Sequence, residues 1–478
     1  MSKLNFCMRA CVLFVLWATT TMTLPAQTFK SLDSFDNTNA AFPWATLLQA
    51  NDGNFYGTTQ NGGNTACNLG CGTIFRIAPN GKLTTSFSFN GTNGSQPIAG
   101  LVQAANGDFY GVTTTGGAYS LGTVFKFTPN GDLTTLYSFA AETGYNPMGT
   151  LVLASDGNFY GTASSGGPPT GDCKPSGCGT IFKITPKGKY TTIHHFNGLP
   201  DGGLPLATMI QAPDGKLYGT AAAYGNAGSY GTVFTITLKG KFTVIHQFND
   251  TDGAYPFGGL ILGTDGNFYG QTDLGGASQY GAFGTVYKMT RSGKVTTLHS
   301  FEQTDGDNPI SDLVKGTDGN LYGTASYGGK YPNFGTVFKI TSSGTFTTLH
   351  NFDSTDGSYP YAGLIQATNG KFYGATFAGG SSTACEFGCG TVFSLSVGLG
   401  PFVKTLPNSG KVGAAVRILG SDLTGVSSVT FNGTTAKFTV ISKSELETSV
   451  PSGATTGTVE VKTTKNTLNS NVAFRVTK

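Results

Sequence analysis

Charge is scarce in this sequence. Of 478 residues only 12% are Asp, Glu, Lys or Arg, about half the share of an ordinary globular chain. Lys3 and Arg9 fall in a leader described below, and without them the 29 basic residues drop to 27, barely more than the 26 acidic ones. That balance leaves no basic stripe for a nucleic-acid partner. Apolar runs are short as well. None after the leader reaches the roughly 20 residues of a spanning helix, so no membrane span is expected once it is removed. Catalytic signatures are missing: glycine-rich stretches such as Gly62-Gly63 lack the strand-to-helix context of a phosphate loop, and there is no nucleophile elbow or zinc helix. No catalytic residue, metal ligand or cofactor is therefore assigned. Aromatics at 12% argue against disorder, and the 71 glycines follow no Gly-X-Y triplet, which excludes collagen.

The first residues read as an address. Lys3 and Arg9 precede the apolar run Val12 to Ala18, and a Thr-rich stretch ends in Leu24-Pro25-Ala26. This is the layout of a secretory signal peptide over 1–26, with the mature start near Gln27 and an uncleaved anchor as the alternative. Cys11 lies ahead of the apolar run, where a lipoprotein cleavage site does not fit. Cys7 and Cys11 leave with the leader, and six cysteines remain as the close pairs Cys67/Cys71, Cys173/Cys178 and Cys385/Cys389. An even count in an exported chain reads as disulfides. Zinc would need four ligands in one place, and no His lies near any pair. The expected location is outside the cytoplasm: secreted, at the cell surface or in the periplasm.

Internal repetition decides the architecture. Phe-Tyr-Gly or Leu-Tyr-Gly recurs with its tyrosine at Tyr56, Tyr110, Tyr160, Tyr218, Tyr269, Tyr322 and Tyr373, at spacings of 54, 50, 58, 51, 53 and 51. A second marker, Gly-Thr-Val/Ile-Phe/Tyr, begins at Gly72, Gly122, Gly179, Gly231, Gly284, Gly335 and Gly390. Each unit reads as four strands, for example 259–262, Asn267 to Thr272, Gly284 to Met289 and Lys294 to Phe301. Their β-branched and aromatic content suits strands, and Asp265-Gly266 between the first two is a hairpin signal repeated in other units. Four antiparallel strands per roughly 50 residues make a propeller blade. The seventh unit ends at Phe393 to Ser396 without a fourth strand, and Thr28 to Phe35 matches the missing piece. The N-terminus is expected to complete the last blade and remove both open edges.

These units resemble the GloVer repeat, found in tandem in bacterial proteins read as exported, with surface anchors that vary between members. The resemblance covers about Thr28 to Ser396 and rests on the Asp-Gly-Asn-Phe-Tyr-Gly-Thr and Gly-Thr-Val-Phe-Lys-Ile blocks. It implies an exported repeat protein and no particular activity. Paired glycines such as Gly116-Gly117, Gly166-Gly167 and Gly328-Gly329 are also similar to kelch repeats, but Trp44 is the only tryptophan after the leader. Beyond Val397 to Gly400 the composition turns to Val, Thr, Ser and Lys. Pro407-Asn-Ser-Gly410, Val416 to Gly420, Val429 to Gly433, Val450 to Gly453, Gly457 to Val461 and Phe474 to Val476 resemble an IPT/TIG immunoglobulin-like domain. Leu423 stands where that family usually has Phe. The resemblance implies a spacer or adhesion module, of the extracellular rather than the DNA-contacting kind given the leader. The fold expected is all-β: a seven-bladed β-propeller over 27–398 and an immunoglobulin-like β-sandwich over 399–478.

In such a blade the second-to-third loops and the blade-to-blade connectors emerge at one end, so one face collects both. The connectors share a pattern: Phe248 to Pro256, Phe301 to Pro309 and Phe352 to Pro360 each carry Asp-Gly ahead of the proline. Turn chemistry explains it. Asp250/Asp252 and Asp353/Asp356 offer oxygens for calcium, but no complete ligand loop is present. The Gly-Gly loops vary in length and concentrate Tyr119, Tyr224, Tyr230, Tyr280, Tyr327 and Tyr331, the candidate ligand-binding residues. Variable loops on a rigid scaffold carry binding, and aromatic faces suit sugar rings. His194, His246, His299 and His350 occupy a fourth-strand position that Phe87 and Tyr137 fill elsewhere, which reads as packing rather than proton transfer.

The function these features point to is an exported, non-enzymatic protein that binds or adheres to extracellular or envelope ligands through one loop face, with polysaccharide as the partner class and a cell-surface protein as the other candidate. One alternative is a propeller polysaccharide lyase or glycoside hydrolase with a carboxylate pair among the 26 acids. Another is a purely structural cell-surface protein.

Overall fold

The computed structural model describes residues 27–477 apart from 39, 170, 278–280 and 332; the expected leader over 1–26 lies outside the described residues. Seven four-stranded antiparallel sheets follow one another along the chain, each in sequential strand order. The first comprises Leu48–Gln49, Phe55–Thr59, Thr73–Ile77 and Leu83–Ser88. The last takes Ile365–Gln366, Phe372–Thr376 and Thr391–Ser396 from the C-terminal end of the array and Thr28–Ser34 from its beginning. Thr28 lies opposite Ser396 and Ser34 opposite Thr391, with a register shift between Ser31 and Asp33. The same irregularity separates third and fourth strands elsewhere, as at Val286/Tyr287. The propeller is therefore closed by its own N-terminus, as the sequence implies.

The Phe-Tyr-Gly motif has a mechanical explanation. Successive side chains of a strand point to opposite faces, so Phe and Tyr of the second strand pack against different neighbouring blades. Tyr56 meets Phe109 with ring centroids 4.6 Å apart, Tyr110 meets Phe159 at 4.1 Å and Tyr322 meets Phe372 at 4.1 Å; Phe55 meets Tyr373 at 4.1 Å across the junction of first and last blades. The glycine is required by close approach: a Cβ on Gly57 would lie 2.4 Å from Phe75 Cζ, and one on Gly161 would lie 2.5 Å from Phe182 Cζ. Most of the tyrosine hydroxyls then reach the hairpin turn, donating to Asp52 Oδ2 at 3.0 Å from Tyr56 and to Asp265 Oδ2 at 2.8 Å from Tyr269, while Tyr373 Oη accepts from Asn369 Nδ2 at 2.9 Å.

The first strands are shorter than the sequence suggests. In the fifth blade only Ile261–Leu262 is strand, not 259–262. Nearer the axis the backbone N–H groups turn to the next blade instead of their own sheet. Gly100 N donates to Thr150 Oγ1 at 2.9 Å, Gly259 N to Asp312 Oδ1 at 2.6 Å, and Gly363 N to Thr46 Oγ1 at 3.1 Å.

The C-terminal domain packs two four-stranded sheets around Val416, Ile418, Leu423, Val429, Leu446 and Val461. Leu423 is fully buried, so leucine fills the place where phenylalanine is usual. The domain sits on the hairpin end of the propeller: Phe402 N donates to Thr368 O at 2.9 Å, Lys404 Nζ to Gln366 O at 2.8 Å and Ser444 Oγ to Asn51 O at 2.9 Å. Among the described residues no helix is long and apolar enough to cross a membrane.

Closure generates a prediction. Phe35, 1% exposed, sets its ring edge-on to Phe75 at 5.1 Å and so joins the last blade to the first. Phe35→Ala is expected to lower the free energy of unfolding by about 3 kcal/mol, read from urea denaturation. A loss below about 1 kcal/mol would show that the ring is not held at this point.

Candidate functional site

With the hairpin end occupied by the C-terminal domain, the loop end of the propeller is the open one. Its geometry is set by the connectors. The residue before each connector proline has positive φ in all seven blades: Phe42 60°, Gln96 55°, Asn146 54°, Leu204 53°, Tyr255 55°, Asn308 51° and Tyr359 57°. Non-glycine residues visit this region at a cost, and only when surrounding structure fixes them. Here both backbone groups are fixed. Asn308 N donates to Phe283 O at 3.2 Å while Asn308 O accepts from Ser326 N at 3.2 Å, and Tyr359 does the same with Phe334 O at 3.1 Å and Phe377 N at 2.9 Å. The following proline seats against a marker glycine: a Cβ on Gly72 would come within 2.5 Å of Pro97 Cδ.

This device turns the next side chain toward the axis. Trp44, Ile98, Met148, Leu206, Phe257, Ile310 and Tyr361, one from each blade, line the channel. At its open mouth lies a cavity of about 350 Å³ walled by Trp44, Met148, Leu206, Phe257, Ile310, Tyr327 and Tyr361, together with Asp273 and Asn308. One sector is aromatic: Trp44 and Tyr361 have centroids 4.5 Å apart, Phe377 lies edge-on to Trp44 at 5.4 Å, and the Tyr327 and Tyr361 hydroxyls are 2.8 Å apart. The same wall carries one acid, Asp273. Asn308 Nδ2 donates to Asp273 Oδ1 at 2.7 Å. Burial, with the Asp307 charge adding to it against the Asn308 bond, pushes the Asp273 carboxyl up to about 6. Gln60, Thr114, Ser164, Ala222, Ser326 and Phe377 stand at the equivalent place in the other blades, so Asp273 is the single acid of that ring.

Of the tyrosines singled out by loop position, Tyr327 lies in this cavity. Tyr119 is exposed, and Tyr331 is exposed with the Lys330 Nζ 5.3 Å from its ring centre. Tyr224 and Tyr230 bridge to each other within one loop and pack against different apolar clusters. Tyr280 falls outside the described residues. The three disulfides are formed: Cys67–Cys71, Cys173–Cys178 and Cys385–Cys389.

The histidines pack and also tie. His299 stacks on Phe346 of the next blade at 3.9 Å, and its Nε2 pairs with Asp305 Oδ2 of its own connector at 3.0 Å. His246 pairs with Asp252 at 3.0 Å and His350 with Asp356 at 2.8 Å. His194 comes within 3.3 Å of Asp201 Oδ2 but out of hydrogen-bond alignment, and burial first, then the neighbouring His195, pulls it down to about 4. Connector acids considered for calcium are thus engaged in turns. Among the described residues no group of three or more His, Cys, Asp or Glu is placed to hold a metal ion.

Sequence reasoning did not reach Trp44, Asp273 or Tyr361 as site residues. The signal was present in the large apolar residue that follows every connector proline.

Comparison with known proteins agrees with the two-part organisation. The Gloeobacter/Verrucomicrobia repeat model matches residues 18–212 and 169–393, and the IPT/TIG domain model matches 402–476. No curated protein sequence matches the chain. Among solved structures, a gluconolactonase from Xanthomonas campestris is similar at 12% identity, over 63% of this chain and 88% of that one, with a TM-score of 0.39. PorZ, a surface component of the type-IX secretion system of Porphyromonas gingivalis, is similar at 14% identity, over 89% of this chain and 58% of that one, with a TM-score of 0.44. At these values neither likeness carries a functional argument.

The raised carboxyl gives a pH dependence. A carboxyl whose folded pKa of about 6 exceeds its unfolded value favours folding while protonated, and that contribution is lost as pH rises from about 4 through 6. Asp273→Asn is expected to stabilise the protein at pH 8 and leave it unchanged at pH 4. Discounted for its partial exposure, the gain is about 1 kcal/mol. Thermal unfolding at both pH values checks it; equal shifts at the two would refute the assignment.

Proposed function

The chain belongs to the Gloeobacter/Verrucomicrobia repeat family, and from that premise we propose that it is an exported, non-enzymatic protein that binds polysaccharide outside the cytoplasm through the open mouth of its propeller. The observation that carries this reading is the aromatic-walled cavity at the channel mouth, where Trp44, Phe257, Tyr327 and Tyr361 meet polar groups of Asp273 and Asn308. Concave sites lined by aromatic side chains with a few fixed polar groups are the usual form of a small-ligand site, and a sugar ring offers an apolar face for stacking and hydroxyls for Asp and Asn. Three disulfides fit an oxidising compartment. The C-terminal domain, on the opposite end, serves as a spacer that leaves the mouth free.

A second reading has one observation in its favour. Asp273, with its carboxyl held near 6 beside Asp307, has the character of a general acid for glycoside cleavage.

Binding of the exported form to a polysaccharide panel, with released reducing ends counted in the same samples, tests both. Saturable binding without release is expected, and Trp44→Ala is expected to weaken it at least about tenfold, the scale of one buried aromatic contact. Release of ends that Asp273→Asn abolishes would replace the binding reading with the enzymatic one. Binding unaffected by Trp44→Ala would move the site away from the mouth.

A further inference from the structure

We infer that the mouth is built for a glycan unit carrying a protonated amine, a 2-amino-2-deoxyhexose residue, in preference to its neutral or acidic counterparts. The inference rests on the polysaccharide reading above and adds a charge requirement to it. Three observations converge. First, the cavity wall contains Asp273 and no basic side chain, and Asp307 stands close enough to Asp273 to raise its proton affinity further. In a protein with only 12% charged residues, an acid in the cavity wall with no basic side chain beside it forms an uncompensated negative site. Second, the carboxylate is held in position. Asn308 Nδ2 fixes Oδ1 at 2.7 Å, and among the described residues no group donates to Oδ2. Third, the remaining wall is π-rich. Trp44 lies at 4.5 Å from Tyr361 and at 5.4 Å from Phe377, and the negative faces of such rings attract cations. An ammonium held between an ionised carboxylate and aromatic faces satisfies both at once. A neutral N-acetyl group leaves Asp273 uncompensated, and a uronate carboxylate is repelled by it.

The other acids of the propeller show what distinguishes this one. Asp156 is paired with Lys183 Nζ at 2.8 Å and Asp265 with Lys288 Nζ at 2.7 Å. Asp201, Asp252, Asp305 and Asp356 face histidines of their own blades. Asp312, buried deeper in the channel, is satisfied by Gly259 N at 2.6 Å; Asp273 is the acid in the wall of the mouth, and among the described residues it has no cationic partner.

The test compares chitosan hexamer with chitin hexamer, which share length and linkage and differ in N-acetylation, on the full exported chain by calorimetry. The wild type is expected to bind the chitosan hexamer about tenfold more tightly, the scale of one charge-assisted contact. Asp273→Asn is expected to equalise the two hexamers, with its thermal unfolding confirming the fold. Asp132→Asn, at an exposed turn on the hairpin end, is expected to keep the preference. Equal binding of both hexamers by the wild type would overturn the amine requirement and leave the polysaccharide reading standing. A preference lost equally in Asp132→Asn would also overturn it, as non-specific charge attraction. Failure of the wild type to bind any glycan would overturn the polysaccharide reading and this inference with it.

Discussion

The structure depends on one repeated contact, an edge-to-face pair between the phenylalanine that follows each fourth strand and the third-strand aromatic of the next blade. Phe89 meets Phe125 at 5.2 Å, Phe139 meets Phe182 at 5.3 Å, Phe196 meets Phe234 at 5.5 Å and Phe248 meets Tyr287 at 5.3 Å. Phe301 meets Phe338 at 5.4 Å and Phe352 meets Phe393 at 5.3 Å. The seventh, Phe35 on Phe75 at 5.1 Å, is supplied by the other end of the chain. Each pair adds about 1 kcal/mol beyond the area it buries. Their larger effect is geometric, because seven like wedges fix the angle between blades, and a ring closes only when the seventh contact is made.

Everything at the axis follows from that closure. Residues roughly fifty positions apart in sequence are brought to one circle, where inter-blade bonds such as Gly363 N to Thr46 Oγ1 at 3.1 Å join the first and last blades again. The connectors then aim side chains inward through seven positive-φ residues whose backbone donors and acceptors are both engaged. The aim is independent of the side chain it delivers. That is why Trp44, Ile98, Met148, Leu206, Phe257, Ile310 and Tyr361 occupy equivalent places, and why chemistry at the mouth is free to vary while the scaffold does not. The immunoglobulin-like domain, hydrogen-bonded to the hairpin end, leaves this mouth as the accessible end.

What was legible in the sequence was whatever repeats. The seven units and the strand deficit filled by Thr28–Ser34 were readable because each rests on local spacing, as was the clustering of cysteines in pairs four or five residues apart. The packing role of the histidines was readable from their interchange with Phe87 and Tyr137, whereas their bond to an acid six residues on, as from His350 to Asp356, was not sought. The mouth was illegible for a physical reason: it draws its residues from six separate blades, and apart from Asn308 and Ile310 they lie far apart in sequence. Loop variability drew attention to Tyr224 and Tyr230, which pack against core clusters, ahead of Trp44 and Asp273, which face the cavity. Asp273 carries no local sign of its role, since the residue that fixes it, Asn308, lies in the next blade.

Trp44 supplies the most direct measurement. Of the two tryptophans in the sequence, Trp17 precedes the expected mature start near Gln27, so the protein from Gln27 onward carries one, at the wall of the cavity. Its emission should shift saturably on titration with a bound glycan, with a midpoint equal to the dissociation constant found by calorimetry. Calorimetric binding that leaves Trp44 emission unchanged would place the ligand elsewhere and contradict the account of the mouth as the site.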